Sequence, residues 1–297
     1  MAIFHRKMLR GILNLSKCST IPALHFLLGE LPLEGKIHRD VFSLFFCIWR
    51  NPDSKIYAIL KYLLETSSEN SRTWAIHLRH ISLKYGLPDP SECLTKDPPL
   101  KSSYKEHIQT KICAYYENCL RMKAENNSSM LYLNVSLTGL RGKRHPALSN
   151  IITTYEVKKA RIHIKMLVGD YLTYETKANQ SGGSPHCRCC PDPNQPIIED
   201  LKHILVVCGA YLDIRTRMLP EFYDVCSKSK SKLNFDKIME SQETLCQFIL
   251  DPASFNLKER IHMSDPVLDQ LYMLSRDYCF AVSSARMSNL KTKEQNK

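Results

Sequence analysis

Residues 184–209 read SPHCRCCPDPNQPIIEDLKHILVVCG. Within it stand Cys187, Cys190, His203 and Cys208, spaced Cys-x2-Cys-x12-His-x4-Cys. Three thiols and one imidazole are the number and type of ligand that a tetrahedral structural zinc site takes. Cys-x2-Cys brings two sulfurs together on one tight turn, and the neighbouring Pro191, Asp192, Pro193 and Asn194 are turn formers that suit such a knuckle. His203 and Cys208 lie five positions apart, about 140° around a regular helix, so one helix cannot aim both at the same point. Gly209 offers the positive φ that would let Cys208 turn back from a helix end. His186 and Cys189 stand close enough to substitute as ligands. Against metal stands the plainer reading of buried apolar thiols and a core histidine. With four protein ligands the shell is closed, so the metal stabilises the fold and holds no water for hydrolysis.

Around this centre the pattern is helical. Residues 37–66 carry two helices broken at Asn51-Pro52-Asp53, an αα-hairpin with Asp53 as the second cap. Ile56, Ile59, Leu60, Leu63 and Leu64 recur at helical spacing and predict one buried stripe. A third helix runs through Trp74, Leu78 and Ile81 to Tyr85 and stops at Gly86; Trp49 and Trp74 read as core anchors. Pro88, Pro90, Pro98 and Pro99 mark a loop and a boundary. Ser103-x-x-Glu106 has the form of a capping box for the next helix. Met130 to Val135 is a short candidate strand. From Thr154 a helix buries Val157, Ala160, Ile164, Leu167 and Val168 and stops at Gly169. Leu201 to Leu219 is helical with a break near Gly209, Ser227 to Lys232 reads as a linker, and Asp265-Pro266 opens a last helix through Leu268, Leu271, Tyr272, Tyr278 and Val282. The expected fold is mostly α, with bundle-like helical regions, a small CCHC zinc knuckle and little strand. Its segments are a helical region (1–95), a basic helical region (96–180), the zinc segment (181–226) and a helical tail (227–297).

The chain has 297 residues and carries 41 Lys/Arg against 30 Asp/Glu, a net charge of +11. Such a charge favours a polyanionic partner without choosing among them. No stretch approaches the ~18 uninterrupted apolar residues of a membrane span, and the opening MAIFHRKMLRGILNL lacks a secretory signal's apolar core. Twelve cysteines in this length are too sparse for a disulfide scaffold, and three crowd between positions 187 and 190. An intracellular protein, nuclear or cytoplasmic, without a membrane partner is expected. Asn-x-Ser sequons at Asn126, Asn127, Asn134 and Asn179 then carry no meaning.

Between residues 101 and 180 there are 13 Lys/Arg against 6 Asp/Glu, a surplus of seven of the chain's +11. Lys158, Arg161 and Lys165 share one helix face with Lys159 at its border, and Arg141, Lys143 and Arg144 form a basic loop. Together they suit a phosphate backbone, RNA or DNA, bound with little sequence preference. The plainer alternative is a solvated surface. Tyr171 and Tyr174 have the chemistry to stack on bases, although half-buried tyrosines of the core are the more common case. A zinc-pinned scaffold for another protein is the competing reading. No paired carboxylates or activated nucleophile nominate an enzyme.

The cysteine stretch resembles the zinc-binding segment downstream of reverse transcriptase in LINE-type, jockey-like non-LTR retrotransposons. The similarity extends from about Ser19 onward, through IPALHFLLGELPLEGKIHRDVFSLF (21–45), NSRTWAIHLRHISLKYGLPDP (70–90), LRGKRHPALSNIITTYEVKKARIHIKMLVGDYLTYETKANQSGG (140–183) and FNLKERIHMSDPVLDQL (255–271). The resemblance implies that Cys187, Cys190, His203 and Cys208 are the zinc ligands, with Cys189 at a variable position. It further implies a parent that copies RNA into DNA. The Tyr/Phe-Ala-Asp-Asp tetrad that holds polymerase magnesium is absent, and no Pro-Asp pair follows Cys208, so neither polymerase nor nuclease activity is expected. The resemblance thus describes a C-terminal remnant or truncated copy.

Overall fold

Among the described residues, regular backbone structure is almost entirely helical. The structure, a computed structural model, describes residues 2–126, 130–190, 196–228, 235–255 and 263–295. It divides into two units: Met1–His5, Gly29–Lys123 and Gly139–Lys143 form one, and Arg6–Leu28, Ala124–Thr138 and Arg144–Lys297 the other. No helix among the described residues is long and apolar enough to cross a membrane.

The helices of the first half are α1 (Ala2–Leu13), α2 (Ile21–Leu28), α3 (Leu33–Trp49), α4 (Lys55–Thr66), α5 (Trp74–Lys84), α6 (Pro90–Leu94) and α7 (Lys101–Glu125). In the first unit, α3 and α4 form the expected hairpin and pack with α5 and α6. The cap of α4 is Ser54, whose hydroxyl accepts from the Tyr57 N–H at 3.2 Å; Asp53 lies one residue too early to reach the first turn. Leu60 and Leu64 are buried. Ile56 and Ile59, expected beside them, are 60% and 58% exposed. Ile59 precedes Leu60 by one residue and so stands about 100° around the helix, beyond the face that meets α3, α5 and α6.

The stop of α5 is the one anticipated: Gly86 adopts φ +61 and Leu87 N–H donates to Ser82 O at 2.9 Å, the Schellman arrangement. Trp49 is buried and its indole donates to Lys96 O at 2.9 Å, whereas Trp74 is only half-buried. The capping box at Ser103 and Glu106 does not form. Leu100 O already accepts from Tyr104 N–H at 3.0 Å, so α7 begins directly after the Pro98-Pro99 pair and Ser103 falls inside its first turn. The proline stretch 88–99 lies within this unit.

The second unit continues with α8 (Thr154–Leu167), α9 (Tyr174–Ser181), α10 (Leu212–Lys228), α11 (Phe235–Met239), α12 (Gln242–Leu250) and α13 (Asp265–Gln295). Its axis is α13, which packs along α8 and α10 and buries Leu268, Leu271, Tyr272, Tyr278 and Val282. Ser264, not Asp265, precedes its first turn, with Ser264 O accepting from Val267 and Leu268 N–H at 3.1 Å each. Thr153 and Glu156 make a capping box at α8, and Gly169 at φ +68 ends it. The candidate strand at 130–135 is not one. Two of its backbone groups are taken by side chains instead: Gln247 Nε2 donates to Tyr132 O at 2.7 Å and Asp251 Oδ2 accepts from Asn134 N–H at 3.1 Å. Of the linker read at Ser227 to Lys232, Ser227 and Lys228 end α10, and 229–232 lie outside the described residues.

One core histidine makes this unit acid-sensitive. His163 is fully buried with its Nε2 2.8 Å from Leu250 O, and burial pushes its imidazole down to about 3. Above pH 6.5 the ring is neutral folded or unfolded; below it, the unfolded chain takes up a proton that the folded chain refuses, so stability falls with pH. Between pH 7 and pH 5 this residue alone removes about 2 kcal/mol. A His163→Gln variant keeps an amide donor for Leu250 O and has no such titration. Its stability deficit relative to wild type, measured by urea unfolding, narrows by that amount over the interval; a constant deficit refutes the assignment.

Candidate metal centre

Four side chains from two short segments meet in the second unit. The first segment is a ribbon: Cys187 N–H donates to Ile197 O at 2.8 Å and Glu199 N–H to Pro185 O at 2.9 Å, around an antiparallel bridge between His186 and Ile198. It is the one β bridge among the described residues. From it Cys187 and Cys190 project together, and Cys189 N–H points back at the Cys187 sulfur at 3.4 Å. The turn formers Pro191 to Asn194 lie outside the described residues.

The second segment solves the spacing problem in a way different from the one expected. Gly209 does not adopt positive φ. Residues His203–Val207 instead form a π turn, closed by Cys208 N–H donating to His203 O at 2.7 Å. An i to i+5 bond widens the turn by one residue, which brings His203 and Cys208 onto the same face although a regular helix would separate them. Asp200 Oδ1 caps the start by accepting from His203 N–H at 2.5 Å. The carbonyls that a terminating helix leaves over are taken up from outside: Arg215 Nη2 donates to Cys208 O at 2.7 Å and the Tyr278 hydroxyl to Leu205 O.

The ligand atoms of Cys187, Cys190, His203 and Cys208 all lie within 4.8 Å of one another. The Cys187–Cys208 and Cys190–Cys208 sulfur separations are 3.9 and 3.8 Å, and His203 Nε2 is 3.2 Å from Cys190 Sγ. A tetrahedron with metal–sulfur bonds of ~2.3 Å has edges of ~3.8 Å, so the sulfurs already stand at ligand distance and the group could hold a metal ion. Burial lowers the His203 pKa, which keeps the imidazole neutral and its lone pair available. Neither substitute belongs to the group of four. The buried Cys189 thiol is hydrogen-bonded with Cys187 and Tyr211, and His186 Nδ1 is 3.0 Å from Ser184 Oγ.

Sequence reasoning missed the groups that hold the ribbon. Glu199, fully buried, receives Arg286 Nη2 at 2.6 Å and Tyr174 N–H at 3.0 Å on the same carboxylate oxygen. The Arg286 guanidinium also lies over the rings of Tyr171 and Tyr174, and Arg188 lies 4.7 Å over Tyr174. Both tyrosines are buried, which places them in the core rather than on a base-stacking surface. Nothing in the periodicity marked Glu199 or Arg286, whose partners are 87 residues apart in the chain.

The basic residues fall in both units. Arg141 and Lys143 belong to the first; Arg144 and all of α8 belong to the second. On α8, Lys158 and Arg161 are exposed and Lys165 is half-buried. Lys159 is committed inward, 2.6 Å from Asp277 and over the Tyr155 ring. Compared with protein-family models, with curated proteins and with solved structures, the chain matches none.

Proposed function

We propose that this chain is the zinc-binding C-terminal segment of a non-LTR retrotransposon reverse transcriptase protein, and that it holds RNA or DNA without catalysing a step. One observation carries the reading: four residues nominated by spacing alone bring their ligand atoms within 4.8 Å of one another. Three thiolates and one imidazole select zinc over the hard cations, which prefer oxygen. A CCHC knuckle of this kind closes the coordination shell and leaves no open position for water. The exposed Lys158 and Arg161 supply charge to the phosphate backbone, so binding is weakly sequence-specific and strongly salt-dependent. A protein-interaction module is the second reading, favoured by the exposed Ile56, Ile59 and Tyr62 on α4.

The test pairs metal analysis with nucleic-acid titration. One zinc per chain is expected, together with retention of single-stranded RNA or duplex DNA that weakens steeply between 50 and 200 mM salt. Substituting Lys158→Gln and Arg161→Gln lowers the slope of log K against log salt by about one for each phosphate left without its cation. An affinity equal at both salt concentrations rules out backbone binding and leaves the interaction module.

A further inference from the structure

In the first unit a basic loop is mounted rigidly over a cavity. Arg141 is flanked by two anchored residues. Leu140 N–H donates to Glu117 Oε1 at 2.8 Å, Leu140 O accepts from Cys113 Sγ at 3.4 Å, and Gly142 N–H donates to Gly29 O at 2.8 Å. Two glycines permit this approach. A Cβ on Gly29, which has φ +64, would collide with the Lys143 carbonyl, and one on Gly139 would stand 2.8 Å from Glu117 Oε1. The backbone on both sides of Arg141 is therefore fixed, which sets where its side chain leaves the loop.

Arg141 lines a cavity of about 410 Å³ together with Lys36 and Arg39 of α3, and Glu30 is the only carboxylate among the described residues of the wall. That carboxylate is taken by Lys36 in an ion pair. Arg39 has only a loose contact with Asp40 at 3.7 Å, and Arg141 a long hydrogen bond to Thr110 Oγ1 at 3.4 Å. The wall thus carries two guanidiniums and one ammonium against a single carboxylate, which Lys36 takes. Like charges gathered on a fixed backbone repel, and an anion seated among them relieves the repulsion.

We propose that this cavity binds the phosphate group of a nucleotide-sized phosphate ester. Guanidinium forks match phosphate oxygens in pairs, and a cavity in the usual size range of small-molecule sites leaves room beyond the phosphate for the ester's body. The proposal does not depend on the metal centre or on the basic face of α8. The same chemistry can come from a free mononucleotide or from the terminal phosphate of a strand.

Calorimetric titration of the whole chain decides it, with pyrophosphate, AMP, and a short oligonucleotide carrying either a 5′-phosphate or a 5′-hydroxyl. Expected are sub-millimolar binding of pyrophosphate and of at least one phosphate ester, and at least tenfold weaker binding in Arg39→Gln and in Arg141→Gln. Both arginines have solvent-exposed side chains, so an unchanged melting temperature is expected in each variant. Binding of AMP names the free nucleotide as the source; without AMP binding, a 5′-phosphorylated strand that binds more tightly than its hydroxyl counterpart, the difference vanishing in the two arginine variants, names the strand end. Absence of binding in every arm, or binding indifferent to both arginine substitutions, overturns the proposal.

Discussion

Cys208→Ser is expected to yield a chain that retains no metal and loses the fixed packing of its second unit. Cys208 is completely buried, with its sulfur 3.9 and 3.8 Å from those of Cys187 and Cys190. A serine hydroxyl is shorter and is a poor donor to a soft or borderline cation. Structural zinc contributes about 10–16 kcal/mol of apparent binding free energy in small finger peptides, as large as the ~5–15 kcal/mol that holds a whole domain together. The loss is not local, because Cys208 belongs to the same hydrophobic cluster as Tyr211, Phe222, Leu271 and Tyr278. Cys189→Ser is the matched control: it removes a buried sulfur one position from a ligand and leaves the four converging atoms in place. The measurement is metal content by atomic emission alongside near-UV circular dichroism. Metal lost from Cys189→Ser and kept by Cys208→Ser would reverse the ligand assignment, and metal absent from wild type would remove it.

The group of four that could hold a metal ion was legible because it depends on residue identity and separation, which a sequence displays directly. How the set closes was not. The π turn at His203–Val207 costs one irregular hydrogen bond, offset by Arg215 and Tyr278 reaching the carbonyls of Cys208 and Leu205; neither partner is visible from the local pattern. Helix stops at Gly86 and Gly169 were readable because positive φ strongly favours glycine there. Helix starts were less so. Ser54 and Asp53 are both competent caps, and the choice between them turns on where the hairpin's backbone emerges. The stripe on α4 failed at Ile56 and Ile59 for a related reason: periodicity says which residues share a face, not how wide a face the neighbouring helices cover. Residues 130–135 have strand-like composition, yet Gln247 and Asp251 satisfy backbone groups there before any strand partner can.

Glu199→Ala is expected to destabilise the second unit by about 3–5 kcal/mol, the usual consequence of stranding one member of a buried ion pair. The side chains of Glu199 and Arg286 are 0% and 8% exposed, so the guanidinium left behind cannot regain water without opening the structure. The same carboxylate oxygen accepts from Tyr174 N–H at the start of α9, and the Glu199 backbone closes the ribbon that carries Cys187. Removing the side chain therefore reaches the metal centre through its mount. Arg286→Met alone strands the carboxylate and is costly for the same reason. The double variant Glu199→Leu, Arg286→Met buries no charge, and its stability recovers most of the loss. Denaturant unfolding of wild type, Glu199→Leu, Arg286→Met and the double forms a thermodynamic cycle, with metal content followed in parallel. A single variant within about 0.5 kcal/mol of wild type, the range of an ordinary surface change, would mean that Glu199 does not hold the ribbon. A double no more stable than the singles would mean that the pair is irreplaceable by packing and that the charge itself positions α13 against the cysteines.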